Sequence, residues 1–174
     1  MFDPTAYENL KVILEGLMYE FDFNDSIVIS KRDDFVNLAN LSRTFRMSFF
    51  HPKDKTEKLE GTIELSANFQ QLASEWFPFK EQPGANLEIQ YIYYGELSEI
   101  MEKRVTKFLK EKFPFFDLEW MKRLHFGNRI SYQFSLNKKS PLTEESIEEL
   151  NMIAFETINI LEKLYEIFSV SNER

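Results

Sequence analysis

The chain contains no cysteine, which removes disulfide frameworks, thiolate metal sites and cysteine nucleophiles together. Histidine is nearly as scarce. His51 and His125 have no partner at metal-ligand spacing, so a zinc site would need both of them plus carboxylates gathered by the fold. The five glycines form neither a phosphate-cradling loop nor a dinucleotide fingerprint, and no Gly-x-Ser-x-Gly elbow occurs. No stretch reaches the roughly 18 consecutive apolar residues that a membrane span requires, and the segment from Met1 to Glu8 lacks the basic and apolar regions of a secretory signal. Lys and Arg (21) are outnumbered by Asp and Glu (29), and a net charge of -8 argues against a phosphate-backbone partner. These absences predict a soluble cytoplasmic protein with no metal, no cofactor, no nucleic-acid partner and no membrane partner. They also lean against catalysis, although catalytic groups can converge from separate elements without a motif.

What the chain has in abundance is apolar side chains. Hydrophobic residues make up 43% and aromatics 16%, with 18 Phe, so 174 residues are read as a single domain, 1–174, with an ample core. Asp3 as cap, Pro4 as first helical residue and Phe2 with Tyr7 as staple predict a helix to about Glu20, with Tyr7, Leu10, Ile13, Leu14, Leu17 and Phe21 buried. Period-two segments follow around Ile27 and Ile29, Phe45 to Phe49 and Leu59 to Leu65. The link from Lys31 to Arg43 has room for a helical turn through Phe35, Val36, Leu38 and Leu41. A short helix after Asn68, stopped by Pro78, leads to a strand from Leu87 to Tyr94, and Leu97 to Leu109 have helical spacing.

Residues 116–126 fit either a capped helix or a strand. Phe116, Leu118, Trp120, Leu124 and Phe126 all fall on even positions, which favours the strand. A three-residue loop, Gly127 to Arg129, would then pair Phe126 with Ile130 and keep the apolar sets of both strands on one face. The resulting expectation is an α+β fold: a mostly antiparallel sheet of about six strands packed by an N-terminal helix, a middle helix and a long C-terminal helix.

The C-terminal helix, Thr143 to Phe168, has an apolar arc of roughly 180°, where a surface helix needs only about 100°. Ile153, Ile160 and Ile167 form the excess, so a second subunit, another helix or a ligand is expected to cover them. The aromatic run Tyr91, Tyr93 and Tyr94, and Phe155 on the polar side of that helix, complete the candidate partner or ligand surface. A basic zone from Lys122 to Lys139 carries interleaved aromatics, read as a core face with a charged outer face.

The element order, acidity and long final helix resemble the small dimeric chaperones of type III secretion in architecture, although no motif matches. The extra strand and short helix between Asn68 and Tyr94 depart from that pattern. The reading that follows is a non-catalytic interaction, adaptor or chaperone-like protein, as a homodimer or with another protein partner. The alternative is a carrier of a small apolar ligand in a Phe- and Tyr-lined cavity, and a motif-less enzyme comes third.

Overall fold

The computed structural model describes residues 5–74, 76–77 and 83–171. The expected cap Asp3, Pro4 and Phe2, and the expected stop Pro78, lie outside the described residues. Six strands form one antiparallel sheet with four helices, an α+β fold. The elements are α1 (Thr5–Phe23), β1 (Val28–Asn37), β2 (Ser42–Phe50), β3 (Leu59–Ala67), α2 (Phe69–Ala73), β4 (Asn86–Tyr94), α3 (Glu99–Lys112), β5 (Phe116–His125), β6 (Arg129–Lys138) and α4 (Ile147–Ser171). The strand order is β1-β2-β3-β4-β6-β5. The chain leaves β4, crosses through α3 to the far edge, lays down β5 there, and returns as β6 between them.

Side-chain alternation decides which face is covered. Phe45, Met47 and Phe49 on β2, Leu59, Ile63 and Leu65 on β3, Tyr91 and Tyr93 on β4, and Tyr132 and Phe134 on β6 all point to one face and are buried. Contacts to that face come from α1, α3 and α4. The Tyr7 hydroxyl donates to the Leu65 carbonyl (3.4 Å), the Tyr132 hydroxyl to the Leu97 carbonyl just before α3 (3.3 Å), and the Tyr91 hydroxyl to the Thr157 carbonyl (2.9 Å). The opposite face carries polar cross-strand pairs, among them Ser48 with Thr62 (3.0 Å) and the ion pair of Arg46 with Glu64.

Two local expectations are corrected. The link after Lys31 continues as strand to Asn37 and turns at Leu41, whose φ is +56°. Its charges hid the strand. Arg32 and Asp34 take the helix-facing positions of β1, where Glu15 and Lys11 of α1 meet them as ion pairs instead of apolar contacts. The β5–β6 loop keeps its three-residue length but sits one residue earlier, at Phe126 to Asn128, so that His125 pairs with Arg129 and Leu124 with Ile130. Gly127 (φ +78°) and Asn128 (φ +58°) supply the left-handed backbone of that reversal, so Arg129 stays in the strand and Phe126 is expelled to the loop.

The long helix begins as foreseen near Thr143. A single 3₁₀ turn, Glu144–Ser146, precedes α4, and the Ser146 hydroxyl accepts the Thr143 N–H at 3.1 Å. Leu142, just before Thr143, is fully buried and forms an isolated bridge with Ala85.

Candidate interaction surface

The broad apolar arc of α4 meets three elements of its own chain. Its centre lies on the sheet, where Thr157 receives the Tyr91 hydroxyl and Phe168 stacks on Tyr93 at 4.2 Å. One flank lies on α1, where Phe155 sits edge-on to Phe21 at 5.0 Å and Asn9 bonds Glu144 near the start of both helices. On the other flank Glu156 pairs with Lys112 at the end of α3 (3.1 Å). Ile153 and Ile160, three and four residues from Glu156, share that flank and are buried, and Ile167 is half-buried beyond them. Tyr91 and Tyr93 are buried in the core, while Tyr94 and Phe155 are exposed.

Tyr94 lines a surface groove of about 720 Å³ with Thr56, Glu96, His125 and Arg129. Partial burial, with the nearby Glu60 carboxylate, raises its phenol above the ordinary value. A second groove of about 320 Å³ holds His51, Phe155 and Glu162. His51 accepts the Lys53 N–H at Nδ1 (3.2 Å) and stacks on Tyr165 at 4.4 Å, so its ring serves as packing. Burial is the largest influence on it and outweighs the opposing Glu162 charge, while Lys53 adds to burial, so the imidazole is pushed below 6.5. The folded state therefore binds fewer protons than the unfolded chain just below that value. The stability this contributes is complete above the unfolded pKa and is lost as pH falls beneath it. Urea midpoints should decline between about pH 7 and pH 5.5, and His51→Phe should flatten that decline. An unchanged slope in the variant would assign it to another group.

Among the described residues no three His, Asp or Glu side chains come together at metal-binding separation. No helix among them is long and apolar enough to cross a membrane.

The largest departure from the sequence expectation lies at the β5 edge. Trp120 and Leu124 take helix-facing positions as foreseen, whereas Phe126 lies in the loop, and α3 covers only the beginning of the strand, where Phe116 is buried against Phe113 at 4.8 Å. From Glu119 to Phe126 every residue is exposed, Leu124 at 73% and Phe126 at 99%. Lys122 lies over the Tyr132 ring at 5.3 Å. A groove of about 590 Å³ opens between Trp120 and the α3 flank bearing Glu102, Lys103, Thr106 and Lys107. The outer face of β5 adds exposed Met121, with Arg123 beside it at 3.2 Å.

The two edges of the sheet are built differently. In β1 the register is broken by a bulge between Ile29 and Lys31, and charged side chains point inward, two devices that make an edge a poor template. In β5 the register runs unbroken for ten residues, with no proline or glycine and with large apolar side chains on both faces. Alternate residues of such a strand direct their N–H and C=O groups away from the sheet.

Comparison with known protein families, with curated proteins and with solved structures finds no match to this chain.

Proposed function

We propose that this chain is a non-catalytic protein-interaction module, of adaptor or chaperone-like type, that engages its partner through the β5 edge and the groove beside α3. The observation that carries this reading is an unbulged edge strand whose residues from Glu119 to His125 stay exposed, Trp120, Met121 and Leu124 among them. Strand addition to such an edge obtains affinity from main-chain hydrogen bonds and selectivity from alternate side chains, and Trp120 and Leu124 stand ready to supply the latter. The aromatic residues that an apolar-ligand carrier would turn toward a cavity, Tyr91 and Tyr93, are packed against α4 instead. The absence of cysteine fits work in the reducing cytoplasm.

A photoreactive phenylalanine analogue placed at Met121, and as control at exposed Val12 on α1, tests the reading in the native cell. Protein adducts should form from position 121 and not from position 12. No adduct at 121, or equal labelling at both positions, would sink it.

A further inference from the structure

Resting on that reading of the β5 edge, we infer that the partner is a second copy of this chain, paired antiparallel through β5 about a two-fold axis at Met121. The argument is a symmetry of residue types that the strand geometry makes meaningful. With Met121 opposite itself, residues whose numbers sum to 242 stand face to face. On the helical side Leu118 meets Leu124, and Trp120 meets Lys122 of the second copy, a cation over an indole. On the outer side Glu119 meets Arg123 and Asp117 meets His125. No pair opposes like charges.

Neighbouring registers lose this match. A slip to an odd sum sets helix-facing residues against outward-facing ones. Centring on Trp120 places Glu119 against Met121 and Leu118 against Lys122, and centring on Lys122 places that ammonium against its own copy. The Met121 axis sets Leu118 against Leu124 and Glu119 against Arg123 together, which neither neighbouring register does.

A second element agrees independently. Helix α3 runs antiparallel to β5, its start beside Tyr132, which lies opposite Lys122, and its end beside Phe116. The same axis therefore sets two α3 helices antiparallel across the seam. Their first turns carry Glu99 and Glu102 and their last turns Lys110 and Lys112, so acidic ends approach basic ends. Nine facing positions from Asp117 to His125, hydrogen-bonded at alternate ones, give about eight to ten main-chain bonds, within the range of a typical specific interface.

The test is sedimentation equilibrium of the full chain over about 1 to 200 µM, a range suited to a modest edge interface. The wild type should form a dimer. Glu119→Arg sets arginine against Arg123 of the other copy, and Arg123→Glu sets two carboxylates together, each twice by symmetry. Both residues are exposed, and circular dichroism would show the fold retained. Each single variant should weaken association about tenfold or more, and the double variant E119R/R123E, with the charges exchanged, should return to within about threefold of wild type. A wild-type monomer throughout, unaffected single variants, or a double variant no better than the singles would overturn the pairing. A monomer whose Met121 probe still labels another protein removes the second copy and leaves the interaction reading standing. A monomer without adducts removes both.

Discussion

Ile160→Ala should lower the unfolding free energy by about 2–5 kcal/mol, and the loss should not depend on protein concentration. Ile160 is 1% exposed on the α4 flank that faces α3, so truncation removes buried methyl and methylene groups and leaves a void that the sheet and helices cannot fully close. If a second subunit covered this stripe, the deficit would shrink as the chain became dilute, because the unassociated protein would already expose the side chain. Urea unfolding at two concentrations spanning about a hundredfold separates the two cases. Phe155→Ala on the same helix should cost much less, since that residue is 59% exposed and its ring sits edge-on to Phe21.

Gly84→Ala should cost roughly 2–5 kcal/mol through backbone strain and a lost bridge. Gly84 has φ +151°, a conformation that L side chains rarely adopt, and a Cβ there would fall on the Leu142 carbonyl oxygen. That oxygen is occupied already, because it accepts the Ala85 N–H at 2.9 Å while the Leu142 N–H donates to Ala85 at 2.8 Å. The bridge ties the entry to β4 to the entry to α4, elements that begin about 60 residues apart. Pushing it open would loosen fully buried Leu142 and the helix start behind it. Thermal unfolding would read the loss, and faster amide exchange at Ala85 and Leu142 than at mid-strand β4 would place it. A variant as stable as wild type would show that the contact yields without cost.

Regular, amphipathic elements were legible in the sequence because their burial is regular. The period of α1, the alternation in β2 to β4 and β6, and the start of α4 at Leu142 and Thr143 each follow from one apolar face meeting one core. In α1 the helix runs three residues past Glu20 and Met18 joins the fully buried set, with Ile13 and Leu17 half-buried at its margin. β1 was half hidden because its inward positions are salted with charges whose partners lie on α1, and no local pattern announces a partner 15 to 25 residues away. The three elements that share the arc of α4 are brought together only by the topology. Alternation assigned Trp120, Leu124 and Phe126 to a face, and a face is buried only if something is laid upon it. The order of charges about Met121 was readable all along. It acquires meaning only once β5 is known to be an edge.

The bulge and inward charges of β1 also decide how far any assembly can grow. A sheet with two receptive edges can add chains without end, as fibres do. Here the bulge and inward charges lie on one edge only, so a pair joined at β5 would present β1 at both of its outer rims. In such a pair polymerisation would stop after the first step, with Arg32 and Asp34 as its terminators. Replacing them with apolar residues would remove the safeguard without touching the contact itself.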